Sequence, residues 1–121
     1  MKKILVVDDK SSISKLIVQF LSTDFDVETK EDGLQALTWL QEGNIPDLIL
    51  TDLQMPNLDG FELIEHVKSS GYFKDVPMIV LSSLDSSSDR IKCLKMGAED
   101  YLVKPFNPEE LLIRIERVLN R

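Results

Sequence analysis

Short apolar runs alternate with amphipathic stretches along this chain. Ile4-Leu5-Val6-Val7, Leu48-Ile49-Leu50, Met78-Ile79-Val80-Leu81 and Tyr101-Leu102-Val103 are near-continuous apolar runs, the pattern of strands buried on both faces. Residues 25–29 alternate apolar with polar, as an edge strand does. Between the runs the period changes. Ile13, Leu16, Ile17, Phe20 and Leu21 share one helix face, with Ser11 and Ser12 before it as cap candidates. A second helix is predicted around Leu34, Leu37 and Leu40, stopping near Gly43. A third, around Leu63, Ile64 and Val67, opens at Asp59-Gly60 and closes near Gly71. Ile91 and Leu94 mark a short fourth, which Gly97 ends in a left-handed conformation. Asn107-Pro108 opens a fifth with Pro at the first helical position, and Leu112, Ile115 and Leu119 continue its buried stripe.

Five strand-helix repeats predict an α/β fold, a parallel sheet with helices on both faces. A chain of 121 residues is one domain of ordinary size, residues 1–121, and with 43% hydrophobic content it can build a real core. No linker or second domain is evident after Leu119, which suits a stand-alone protein or one part of a longer one. Ser86-Ser87-Ser88 reads as a loop and helix cap.

Charge narrows the partners. Fourteen basic against twenty-one acidic residues give −7, which disfavours direct nucleic-acid binding and attraction to an anionic membrane. The amino terminus has two lysines and then only four apolar residues before Asp8, neither a signal peptide nor a membrane span, so a cytoplasmic location is expected. The one cysteine, Cys93, cannot form an internal disulfide; beside Ile91 and Leu94 it reads as a half-buried helix position and not a catalytic thiol. His66, alone on a helix, reads as a surface residue, and no His or Cys group has zinc spacing.

The chemistry sits at the strand ends. The first run leads into Asp8-Asp9, the third strand into Asp52, the fourth into Ser82-Ser83 and the fifth into Lys104-Pro105. Parallel neighbours would bring these ends together at the carboxyl edge, where open α/β sheets bind ligands. Three close carboxylates require a proton, a cation or an opposing side chain. Lys104 supplies one positive charge, and Mg2+, which takes one or two carboxylates and shares phosphate oxygens, suits the remainder. A carboxylate beside such a metal, a hydroxyl and an ammonium suggests a nucleophile that accepts a phosphoryl group. No Gly-rich nucleotide loop is present, so the donor is not evidently a nucleotide.

In this order, ILVVDD, LILTDLQMPNLDGFEL, VLSS and GAEDYLVKPF resemble the receiver domains of bacterial two-component response regulators over essentially the whole chain. The resemblance implies a flavodoxin-like (βα)5 fold, a doubly wound five-stranded parallel sheet in order 2-1-3-4-5. It implies Asp52 as the phosphoacceptor, with Asp8, Asp9, Asp52 and the backbone carbonyl of Gln54 holding Mg2+. Lys104, Ser82 and the backbone N–H of Ser83 would bind the phosphoryl group. Ser82 and Tyr101 would be the switch pair, with Ser82 moving toward the phosphate and Tyr101 rotating inward. Ser83 departs mildly from the family's usual Ala or Gly, Gln54 and Leu84 occupy positions that tune phosphoryl lifetime, and Lys104-Pro105 would be cis.

The implied function is a phospho-accepting signalling domain, served by a sensor histidine kinase or phosphotransfer protein. It would assist only its own phosphorylation and dephosphorylation and is not otherwise an enzyme. Arg90, Asp100, Glu110 and Arg114 fall where receivers of winged-helix regulators place charges that pair across a two-fold dimer, so a homodimer on phosphorylation is expected. Two other classes compete. An aspartate-nucleophile phosphohydrolase would carry its nucleophile on the first strand with a second acid two positions on, whereas here Asp8 and Asp9 adjoin and Lys10 follows. A receiver fold kept only as an interaction module would not need the complete acid, serine and lysine set.

Overall fold

The computed structural model describes residues 1–120. Five strands, β1 (Lys3–Val7), β2 (Asp26–Lys30), β3 (Leu48–Thr51), β4 (Met78–Ser82) and β5 (Asp100–Val103), alternate with five helices. These are α1 (Ser11–Leu21), α2 (Gly33–Gln41), α3 (Gly60–Lys68), α4 (Ser87–Met96) and α5 (Pro108–Leu119). All neighbouring strands are parallel, in the order β2-β1-β3-β4-β5. That is the doubly wound order expected, and it puts a topological switch point beside β1.

The side-chain alternation of each strand feeds two cores. Leu5, Val7, Ile49, Met78, Val80 and Tyr101 pack with α2, α3 and α4. Ile4, Val6, Leu48, Leu50, Ile79 and Leu102 pack with α1 and α5 on the other face. Burial on both sides explains why these strands read as continuous apolar runs. At the sheet's amino-terminal edge the Lys3 ammonium stands 5.8 Å from the ring centroid of Trp39.

Helix boundaries follow local chemistry. Asp59 and Glu62 form a reciprocal capping box at α3, Asn107 caps α5 with Pro108 in its first turn, and Gly97 closes α4 at φ 114°. The Lys104–Pro105 peptide is cis.

Several expectations need correction. Ser11 and Ser12 do not cap α1; they are its first residues, and Lys10 holds the cap position without a side-chain bond. Asp8 Oδ1 takes the Lys10 N–H at 2.9 Å, so the helix starts as the chain leaves the strand end. Leu16 and Leu34 face solvent, and Ala36, Trp39 and Leu40 bury α2. In α4 it is Cys93 that is fully buried, not half-buried, whereas Ile91 and Leu94 are 50% and 43% exposed. In α5, Leu111 and Ile115 carry the core, with Leu112 and Leu119 only partly covered. Among the described residues, no helix is long and apolar enough to cross a membrane.

Candidate functional site

Parallel register builds the site. Val7 pairs with Thr51, so the next residues on the two strands, Asp8 and Asp52, emerge side by side. The ladder continues one residue past the strands: Asp8 N–H donates to Lys30 C=O at 3.0 Å and Asp52 N–H to Val7 C=O at 2.9 Å. Lys104 N–H likewise donates to Ser82 C=O at 2.8 Å. Backbone bonds thus fix three of the four strand ends before any side chain acts.

The side chains converge. Carboxylate oxygens of Asp8, Asp9 and Asp52 lie within 4.8 Å of one another. Lys104 Nζ sits 2.7 Å from Asp8 Oδ2 and 3.3 Å from Asp52 Oδ2. Asp8 and Asp52 are buried, and Asp9 is exposed at the mouth. Asp52 Oδ1 accepts the Leu53 N–H at 2.7 Å, which fixes the carboxylate plane. With all three acids ionised, one ammonium leaves the cluster two charges negative, and every donor is a hard oxygen. Those are the requirements of Mg2+, so these residues fit such an ion.

Ser82 ends β4 fully buried, on the same sheet face as Tyr101. Its Oγ accepts the Leu84 N–H at 3.2 Å, and the Tyr101 hydroxyl donates to the Leu84 carbonyl at 2.6 Å. Tyr101 is turned inward and 8% exposed, and burial pushes its phenol above the ordinary range. Ser83 and Gln54 are exposed, one residue past β4 and three past β3. Cys93 lies under α4, where burial pushes its thiol up to about 11 and removes it from nucleophilic chemistry.

The residues of the expected dimer face are not held at the cluster. Arg114 Nη1 donates to Asp100 at 2.8 and 3.1 Å and Nη2 to Glu110 at 3.4 Å, all within the chain. Those bonds, the Asp100 one foremost, hold the guanidinium above its usual range. Arg90 stands apart, 3.8 Å from Asp85.

Sequence reading missed Gly60, Asp32 and Asn57. Gly60 brings the start of α3 against β3: its N–H donates to Leu53 C=O at 2.9 Å, and a methyl there would lie 2.7 Å from Leu53 Cα. Asp32 is buried, caps α2 and accepts from the Asn57 amide at 2.7 Å. Its sequence signal was an Asp-Gly pair ahead of a helical stretch, which marks a cap but not a second partner twenty-five residues away.

A family model described as "Response regulator receiver domain" matches residues 4–116. The chain is 43% identical over 121 residues to the probable transcriptional regulator ycf27 of Porphyridium aerugineum, covering 99% of this chain and 49% of that protein. It is 42% identical over 120 residues to the response regulator MprA of Mycobacterium sp. (strain KMS), covering 98% and 51%. Among solved structures, the chemotaxis response regulator CheY4 of Vibrio cholerae matches with a TM-score of 0.90 at 38% identity, over 98% of this chain and 99% of that one. The chain spans about half the length of the curated relatives it matches.

Proposed function

The chain belongs to the response regulator receiver domain family, and from that membership we propose that residues 1–121 form a phospho-accepting switch with Asp52 as the phosphoacceptor. The observation that carries the reading is the convergence of Asp8, Asp9 and Asp52 with Lys104 at one sheet edge, beside the buried hydroxyl of Ser82.

The donor is a phosphohistidine on a sensor histidine kinase or phosphotransfer protein. A carboxylate oxygen of Asp52 attacks phosphorus; an O–P bond forms, the P–N bond breaks, and its electron pair remains on the imidazole nitrogen. No base is required, because a carboxylate already carries the nucleophilic pair. Asp8, Asp9, Asp52 and the Gln54 carbonyl would hold Mg2+, which would offset the charge of the phosphoryl oxygens. Lys104 supplies its ammonium to one of those oxygens, and the Ser83 N–H and Ser82 hydroxyl donate to others. Hydrolysis reverses the modification: water attacks phosphorus and the carboxylate leaves with the O–P pair. The domain acts on no separate substrate.

The output is a change of surface. Phosphorylation adds about −1.5 to −2 charges. A hydroxyl both donates and accepts, so Ser82 can donate to the phosphoryl group while it still accepts from Leu84. That arrangement favours the Leu84 carbonyl position that holds Tyr101 inward. The surface read by partners is formed by α4, β5 and α5, where Ile91, Leu94 and Ile113 are exposed. Arg90, Asp100, Glu110 and Arg114 supply charges of both signs, as a two-fold homodimer of the phosphorylated form requires. Both partners and phosphorelay place the chain in the cytoplasm.

The test is direct. Incubation with acetyl phosphate and Mg2+ should give a single phosphoryl adduct by intact mass, absent in Asp52→Asn. No adduct on natively folded protein would end this reading.

A further inference from the structure

Asp32 is a buried carboxylate outside the acidic cluster, 4% exposed, and its two oxygens serve different elements. Oδ1 accepts the Gln35 N–H at 2.8 Å and caps α2; Oδ2 accepts the Asn57 amide at 2.7 Å. Asn57 lies in the loop between Asp52 and α3 and holds φ at 68°, a left-handed conformation that asparagine adopts more readily than other non-glycine residues. A parallel contact lies next to it. Gly33 N–H donates to Leu58 C=O at 3.0 Å, and a methyl at Gly33 would meet that carbonyl oxygen at 2.5 Å.

The loop is therefore tied at both ends. At the near end, Leu53 N–H bonds Asp52 Oδ1 and Gly60 N–H bonds Leu53 C=O. At the far end stand Asp32 and Gly33. Between the ties, no hydrogen bond among the described residues reaches Gln54. Within the loop, Met55 and Leu58 pack against the core and Leu58 N–H donates to Pro56 C=O at 2.7 Å, so Gln54 is held through its neighbours and not by a bond of its own.

We propose that Asp32 and Asn57 are positioning residues for the metal: a brace from the start of α2 that fixes the 52–59 loop and so holds the Gln54 carbonyl as a ligand. This rests on the phospho-accepting reading above. Groups that orient a metal's ligands from behind change affinity by about tenfold or more when removed. A helix cap needs only one oxygen of Asp32, and the second one, on Asn57, is the part that the site uses.

The test measures the Mg2+ dissociation constant of the whole chain by calorimetry, with thermal melting to confirm folding. Asn57→Gly keeps the left-handed backbone and removes the brace without changing charge. It should weaken Mg2+ binding about tenfold, whereas a merely structural role would lower the melting temperature and leave the affinity of the folded protein unchanged. A second comparison does not depend on that variant. Asn57→Asp sets two carboxylates against each other; adding Asp32→Asn restores the pair with its donor reversed, and Asn caps helices as well as Asp does. Charge alone would tighten cation binding in Asn57→Asp, so weaker binding there, recovered in the double variant, supports the brace. Wild-type affinity in Asn57→Gly, or a double variant no better than Asn57→Asp, overturns it while the phospho-accepting reading stands. A wild type that binds no Mg2+ and takes no phosphoryl group overturns that reading and the brace with it.

Discussion

Ser82 and Tyr101 hold the same residue from its two ends. The serine hydroxyl accepts from the Leu84 N–H and the tyrosine hydroxyl donates to the Leu84 C=O, at 3.2 and 2.6 Å. The two side chains come from neighbouring strands, β4 and β5, and meet on the first turn of chain beyond β4. A change felt at Ser82 therefore reaches Tyr101 through one peptide segment, without a long path.

Tyr101→Phe should separate these two ends. Removing the hydroxyl takes one hydrogen bond from a part-buried carbonyl and should cost about 1 kcal/mol in urea unfolding. Phosphorylation of Asp52 should proceed, but amide shifts in α4 on phosphorylation should shrink. Full-sized shifts in the variant would show that Leu84 does not carry the coupling.

Mg2+ should stabilise the fold by linkage, since the proposed site exists only where folding brings Asp8, Asp9 and Asp52 together. At a hundredfold excess over its dissociation constant the gain is about 2.7 kcal/mol. Asp9→Asn removes a like charge that makes no hydrogen bond with the strand ends, so the metal-free protein should become more stable and the Mg2+ increment smaller. Paired urea titrations with and without Mg2+ measure both; equal increments in the two proteins would exclude Asp9 from the metal site.

Gly60→Ala should damage the site through the backbone. The added methyl would press on Leu53 Cα and the Asp52 carbonyl, main-chain atoms that cannot move without moving the Asp52 carboxylate. Expected costs are about 1–3 kcal/mol of stability and slower phosphorylation by acetyl phosphate. A substitution elsewhere of equal stability cost should leave that rate untouched.

Alkaline stability should carry the mark of Cys93. Its folded-state value of about 11 exceeds the ordinary thiol value of about 9, so the folded protein keeps a proton that the unfolded chain loses. The resulting stability is complete below about pH 9 and disappears as pH rises to about 11, a change on the order of 2 kcal/mol. Tyr101, raised by burial, adds in the same direction as pH passes its ordinary value of about 10. Denaturation midpoints of wild type and Cys93→Ala across this range should converge as pH increases.

Exposed Ile91 and Leu94 on α4, with Ile113 on α5, should matter only in the assembled state. Ile91→Lys should leave phosphorylation and monomer stability near wild type, the usual outcome for a surface change. Sedimentation should then show the phosphorylated wild type as a dimer and the variant as a monomer. A wild type that stays monomeric when fully phosphorylated would remove the dimer from this proposal.

The sequence made most of this architecture legible, for identifiable reasons. Strands buried on both faces read as apolar runs, and Asn107-Pro108, Asp59-Gly60 and Gly97 marked helix ends by local chemistry that tertiary context did not override. Since Asp8, Asp52 and Lys104 each lie one step beyond a strand, a correct strand order was enough to assemble them. Helix faces were less legible. In α4 the pair Ile91 and Leu94 looks like a buried stripe, yet the side that meets the sheet is that of Cys93. The Asp32–Asn57 bond could not be seen at all, since nothing local announces a partner on another loop.

Trp39, the only tryptophan, lies near the carboxyl end of α2 with Lys3 at its ring, at the edge of the sheet opposite the acidic cluster. Its intrinsic fluorescence therefore reports unfolding from the end of the sheet away from the acidic cluster, and a phosphoryl adduct can be counted separately by mass on the same sample.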